Sequence, residues 1–285
     1  MRRQHLPFLD ADAPPTALPS PESALDYPPG LLAAGGALTP DWLRHAYRHG
    51  VFPWYSAGEP ILWWSPPERM VFRPEALRMP RSLRQSARNR GYLIGFDTDF
   101  QGVMAGCATR GKSVSPLNQG IDSMHSTPTD TVAGDSALPS ASTATTAADD
   151  EAAPDGTWIV PEMTAAYAAL HAAGDAHSVE VWKDGELVGG LYGVSLGGMF
   201  WGESMFSRAR DASKVALLAL AAECRDRGIG LIDAQFHTPH LESLGGVKMP
   251  RAEFLAEVGA RTRGVTTAAL ARPWQRPPHG ICKFA

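Results

Sequence analysis

Between Lys112 and Gly156 the chain loses the means to build a core. Residues 113–155 hold no Phe, Trp, Tyr, Lys or Arg; they are mostly Ser, Thr, Ala, Asp and Pro, with seven acids among them. Such a segment cannot bury enough apolar surface to offset the entropy of ordering it. It is expected to be a disordered, acidic, low-complexity insertion, so any fold must be assembled from the two flanks. Closure entropy grows slowly with loop length, and a folded unit tolerates such an interruption.

The flanks are ordinary globular sequence. The 285 residues are 44% hydrophobic and 20% charged, enough for a sizeable core. The longest purely apolar run, Val215 to Ala222, is far shorter than the roughly 20 residues of a membrane span. Arg2-Arg3 is followed by Asp10 and Asp12 with no apolar stretch between, so neither a secretory nor a twin-arginine signal is expected. The three cysteines lie far apart, which argues against a disulfide framework or zinc knuckle and for a reducing cytoplasm. The net charge of −4 is also local: outside 113–155, 26 basic residues face 23 acidic ones. That mildly basic remainder allows a nucleic-acid partner without demanding one.

Local signals place the elements. Tyr27 to Gly36 reads as loops and turns. Thr39-Pro40 opens a short helix that Gly50 ends. Met70–Phe72 reads as a strand, 80–90 as a basic helix and 92–96 as a strand. A helix opens at Pro161-Glu162, with Met163, Ala166, Tyr167 and Leu170 on its apolar face. Residues 178–182 and 187–194 flank the turn Lys183-Asp184-Gly185-Glu186 as a hairpin. A third strand spans 199–206, a helix capped by Asp211 runs to Arg227, and a short strand covers 231–236. Hairpin, strand, long helix, strand is an α+β pattern found in the middle of many acetyltransferase-type domains.

Four sets of residues bear on chemistry. Arg81, Arg84 and Arg88 share one face of the basic helix, and guanidinium groups bind phosphate oxygens bidentately. Their bland reading is a solvated helix face. Trp54, Trp63 and Trp64 fall in one Pro-flanked run, with Trp158 and Trp201 later; they suit core packing, an apolar pocket or base stacking. Glu203 and Asp233 are acids inside apolar strand patterns, where burial is costly unless paired. Together they suggest a site that receives a cation, and Gln235 is expected on the same strand face as Asp233. His171, His177, His237 and His240 do not make a metal site, and no nucleoside-triphosphate loop is present.

Read in order, several segments resemble the bacterial leucyl/phenylalanyl-tRNA–protein transferase family. They include Gly30-Leu-Leu-Ala-Ala-Gly-Gly, Phe52-Pro-Trp-Tyr-Ser, Ile61-Leu-Trp-Trp-Ser-Pro, His177-Ser-Val-Glu-Val-Trp, Gly202-Glu-Ser-Met-Phe-Ser-Arg and Leu231-Ile-Asp-Ala-Gln. The resemblance covers about 25 to 275 and departs from the family at 113–155, where a short loop is usual. It implies transfer of Leu, Phe and less readily Met from aminoacyl-tRNA to the α-amine of proteins beginning with Arg or Lys, marking them for degradation. It implies no cofactor or metal, a cytoplasmic setting, no membrane partner, and a chain taken as a monomer. It implies a small N-terminal α+β domain (1–67) and a GNAT-type, acetyltransferase-like catalytic domain (68–285) interrupted by the insertion. Asp233 and Gln235 are then expected at the chemistry, and Glu203 with Asp233 at the substrate N-terminus. Trp54, Trp158, Met199, Phe206 and Leu220 are expected around the aminoacyl group or its adenosine. Arg81, Arg84 and Arg88 are expected on tRNA phosphates. Two alternatives from the residues themselves are an acyl-CoA N-acyltransferase and a non-catalytic RNA-binding module. The first is weakened because the turn Arg208–Ser213 lacks the usual pyrophosphate-binding Gly.

Overall fold

The computed structural model describes residues 5–109, 159–265 and 267–280. The 113–155 segment and Trp158 lie outside the described residues. No described helix is long and apolar enough to cross a membrane. Cys107 and Cys224 are free thiols.

Two sheets organise the α+β fold. Four short strands, β1 (Phe8–Leu9), β2 (Leu31–Gly35), β3 (Phe52–Pro53) and β4 (Leu62–Trp64), form the smaller one in the order β1-β2-β4-β3. The larger holds β5 (Glu68–Phe72), β6 (Leu93–Phe96), β7 (Ala176–Lys183), β8 (Glu186–Leu196), β9 (Met199–Ser207), β10 (Leu231–Asp233), β11 (Val247–Pro250) and β12 (Arg276–Gly280). Their order is β11-β5-β10-β9-β8-β7-β6-β12, and only the β10–β9 pair is parallel.

Helices α1 (Pro40–Arg48), α3 (Phe100–Ala108), α4 (Pro161–Ala172) and α7 (Arg251–Thr262) join the small sheet on one face of the large sheet. There they bury Leu43, Tyr47, Val103, Tyr167, Trp63 and Phe254 in one core. Helices α2 (Arg81–Asn89) and α5 (Ala212–Arg227) cover the other face, where Leu83, Ala87 and the apolar run of α5 meet Phe72, Ile94, Val181 and Phe200. A short helix, α6 (Pro239–Ser243), follows β10.

Most local signals hold. The Thr39 side chain accepts from the Trp42 backbone N–H, Pro40 starts α1 and Gly50 leaves at φ +70°. Met163, Ala166, Tyr167 and Leu170 are the buried residues of α4. Asp184 and Gly185, both at positive φ, make the β7–β8 turn.

Three expectations are corrected. Leu31–Gly35 is a strand, not loop: Leu31 to Ala34 are buried without alternation, so no period-2 signal marks it. Asp211 precedes α5 but its carboxylate does not cap it; it sits at φ +64° and takes Lys214 and Ser86 instead. The strand at 231–236 stops at Asp233, because Gln235 adopts φ +53°, which a regular strand cannot contain.

Candidate active site

Asp233 ends β10, an inner strand of the large sheet, between Val71 of β5 and Trp201 of β9. It is fully buried, and so is Arg69 of β5. The Arg69 guanidinium grips both Asp233 oxygens, Nε at 3.2 Å to one and Nη2 closely to the other. A third nitrogen of Arg69 donates to the Gly50 carbonyl at 3.2 Å. The rings of Phe52 and Phe254 lie 4.6 and 4.5 Å from the guanidinium carbon. A bidentate pair with cation–π contacts is what a buried charge requires. The charge of Asp233 is thus already balanced within the protein. Its Oδ1 also accepts the Gln235 backbone N–H at 2.9 Å, which holds Gln235 in its left-handed conformation. Asp233 and Gln235 therefore do not project from one strand face: the backbone turns between them and Asp233 anchors the turn.

Glu203 is held differently. Tyr192 of β8 pairs with Ser204 and Gly193 with Gly202, leaving Glu203 as the extra residue of a β-bulge. The bulge changes the parity of β9, so Met199 and Trp201 share a core with Phe206 while Phe200 and Met205 face the other. It aims Glu203 at two tyrosines. Tyr47 of α1 and Tyr167 of α4 each hold a hydroxyl 2.8 Å from a different Glu203 oxygen, and the two hydroxyls lie 2.6 Å apart. Among the described residues no cation lies within ion-pair distance of this carboxylate. Burial above all, with the nearby Asp233 charge adding to it, pushes the Glu203 carboxyl up to about 7; the tyrosine hydrogen bonds and Arg69 act the other way.

β10 ends at Asp233, opposite Trp201 of β9, so Gln235 follows the strand end by two residues just as Glu203 follows Trp201 by two. The Gln235 side-chain nitrogen, the Tyr192 hydroxyl and the Trp201 indole N–H are buried without a hydrogen-bond partner among the described residues. Buried polar groups in folded proteins are nearly always paired, so each of these three atoms is an exception.

Phe236, next to Gln235, joins the aromatic cluster. Its ring stands edge-on to Trp54 at 5.6 Å and to Phe52 at 5.7 Å, and Trp54 packs against Trp64 at 5.3 Å. Trp54, Met199 and Phe206 belong to the same core as Phe236. Leu220 lies in the core on the opposite face of the sheet, so the structure does not bring it to Met199 and Phe206. Arg81, Arg84 and Arg88 are exposed on α2, which turns Leu83, Ser86 and Ala87 inward.

A sequence model of the leucyl/phenylalanyl-tRNA protein transferases matches residues 131–259, and one of their N-terminal domain matches 36–67. A leucyl/phenylalanyl-tRNA–protein transferase of Chromohalobacter salexigens is 50% identical over 250 residues, covering 88% of this chain and 81% of that one. The chain belongs to this family. A relative of the same name from Azoarcus sp. is 47% identical over 251 residues, 88% of either chain. Another from Xanthomonas axonopodis pv. citri is 44% identical over 284 residues, 98% of this chain and 97% of its own. Within the family's frame, sequence reasoning had named Asp233, Gln235 and Glu203 but missed Arg69, Tyr47 and Tyr167. The apolar spacing of α4 placed Tyr167 inside, yet spacing says nothing of a hydroxyl's partner. Arg69 stood in the sequence as one of seven arginines between 68 and 90, and only its position two residues before Val71, opposite Asp233 in the sheet, separates it from the others.

Proposed function

We propose that this chain transfers Leu, Phe and, less readily, Met from aminoacyl-tRNA to the α-amino group of proteins that begin with Arg or Lys, marking them for degradation in the cytoplasm. The observation that carries the reading is an aromatic cluster and a buried acid without a cation among the described residues, both next to the Asp233–Arg69 pair. Trp54 packs on Phe236, the residue after Gln235; Asp233 holds the Gln235 backbone, and the charges of Asp233 and Arg69 act on Glu203. An aromatic wall suits a Leu or Phe side chain, and Glu203 suits a cationic amino terminus.

The aminoacyl ester is already activated, so the protein's main task is to hold it against an amine. Met199, Phe206, Trp54 and, beyond the described residues, Trp158 would shape the aminoacyl pocket. Rejection of other side chains by such a pocket is graded, since one methylene is worth about 1–3 kcal/mol. Gln235 presents its side-chain amide to the reacting groups. Asp233 acts through Arg69 and the Gln235 backbone as a positioning residue. Arg81, Arg84 and Arg88 hold acceptor-stem phosphates, a contact blind to sequence. The GNAT-like assignment of the β7–β10 region, and the division at 67/68 into a small domain and a larger catalytic one, belong to the same reading.

An acyl-CoA donor is disfavoured by Asp211, whose carboxylate lies at the start of α5, the helix end where a CoA pyrophosphate would need positive polarity. The test is transfer of radiolabelled leucine from leucyl-tRNA to an Arg-initiated protein, with a Gly-initiated protein and leucyl-CoA as controls. Label on the Arg-initiated protein alone supports the reading; transfer from the thioester instead would overturn it.

A further inference from the structure

We infer that Glu203, closed into a ring with Tyr47 and Tyr167, is the group that takes the proton from the acceptor's α-ammonium before the amine attacks the ester. The inference rests on the transfer reaction proposed above and adds to it the fate of the amine proton.

Proton counting carries it. The ring contains three short contacts: Glu203 to Tyr47, Tyr47 to Tyr167, and Tyr167 to Glu203, at 2.8, 2.6 and 2.8 Å. Each needs a proton between its oxygens. When both hydroxyls donate to an ionised carboxylate, no proton remains for the tyrosine–tyrosine contact. A third proton, on Glu203, completes the ring: the acid donates to one tyrosine, that tyrosine to the other, and the other back to the acid. The closed ring is therefore the proton-loaded form, and loss of the proton opens the Tyr47–Tyr167 contact. The groups that face Glu203 fit this exchange. Tyr47 of α1, Tyr167 of α4 and Tyr192 of β8 are neutral phenols whose own ionisation burial pushes well up. Asp233 of β10 has its charge held by Arg69 of β5.

The step balances. The α-ammonium gives a proton to a Glu203 oxygen, leaving a neutral amine. The amine lone pair forms the new C–N bond at the ester carbonyl. The C–O bond to the tRNA ribose breaks, and its oxygen takes the amine's second proton. Glu203 then returns its proton to solvent. A free α-amine titrates at about 7.7–8.0, so an acceptor group near 7 is closely matched to it.

The test is single-turnover transfer to an Arg-initiated peptide between pH 5.5 and 9, in wild type and Glu203→Gln. The wild-type rate should rise through about pH 7. Glu203→Gln should slow the step by about 100-fold or more at neutral pH. Its rising limb should move to about 8, the amine's own range, with tRNA binding unchanged. Glu203→Asp should restore part of the rate and the original limb. If Glu203→Gln does not fold, Tyr47→Phe and Tyr167→Phe carry the test: each removes a hydrogen bond that lowers the Glu203 carboxyl and should move the limb upward. A full rate, or a uniform loss with the limb unmoved, in Glu203→Gln or in both tyrosine variants would overturn the inference. Wild-type protein that transfers at no pH would instead break the reaction itself.

Discussion

The molecule builds the same device twice, with different results. At the site, Arg69 lies between two phenylalanine rings and grips Asp233. On the far side of the large sheet, Arg227 of α5 lies against Trp274 at 4.3 Å and pairs with buried Glu223, which also takes Arg276. Arg227 donates as well to the carbonyls of Arg272 and Pro273 at 2.6 and 2.9 Å, fastening the C-terminal segment. Both arginines are almost wholly buried and both are paired. What differs is the surroundings. The Arg227 clasp spends its donors on the segment it holds. The Arg69 pair is bordered by Glu203, which has no cation among the described residues, and by Gln235, whose side-chain nitrogen has no partner among them. Unmatched polar atoms occur at both, since the Arg276 Nε is buried without a partner among the described residues, so a buried ion pair says nothing about function; a buried acid beside it that has no cation among the described residues does.

Substitutions can break that comparison. The largest effects should come from removing either acid. Asp233→Ala and Glu223→Ala each strand a buried guanidinium, which costs about 3–5 kcal/mol, read as a loss of denaturant midpoint. In the fraction that stays folded, Asp233→Ala should lose transfer by orders of magnitude while Glu223→Ala keeps it. Adding Arg69→Met to Asp233→Ala should restore stability without activity. Loss of chemistry in folded Glu223→Ala would erase the distinction.

Next in size is the pH dependence of unfolding. The Glu203 carboxyl sits above its unfolded value of 4.5, at about 7. The folded chain then binds the extra proton, so the stability this group contributes is fully present below about 4.5 and is lost as pH rises to 7. Glu203→Gln should flatten that part of the stability profile, and an unchanged slope would place the buried proton elsewhere. Replacing Arg81, Arg84 and Arg88 by Gln should leave stability within about 0.5 kcal/mol, since all three are exposed. It should lower the salt slope of tRNA binding by about two to three, at roughly 0.7–0.9 per phosphate contact. Gln235→Gly should change stability in the opposite sense, adding about 1 kcal/mol by relieving a left-handed backbone while transfer falls.

How far the sequence reaches follows from what periodicity encodes. Caps, turn residues and apolar spacing placed α1, α2, α4, α5 and the β7–β9 strands. They missed α3, although Asp99 caps it and Phe100, Val103 and Met104 are buried at helical spacing; α7, which no side chain caps; and β2, whose residues are buried without alternation. Acids in apolar strands pointed to Asp233 and Glu203, because burying a charge is costly enough to leave a compositional trace. Their partners left none. Arg69 lies 164 residues from Asp233, and Tyr47 lies 156 from Glu203. The bulge that aims Glu203 is a register shift between two strands and has no signature in β9 alone.

That separation along the chain also orders the protein's manufacture. Arg69 leaves the ribosome long before Asp233, by roughly ten to thirty seconds at about 5–20 residues per second. Until Asp233 arrives, Arg69 has no carboxylate to enter the interior with, and the strand that carries it lacks its neighbour β10. The nascent polypeptide thus has no finished site until Asp233 emerges.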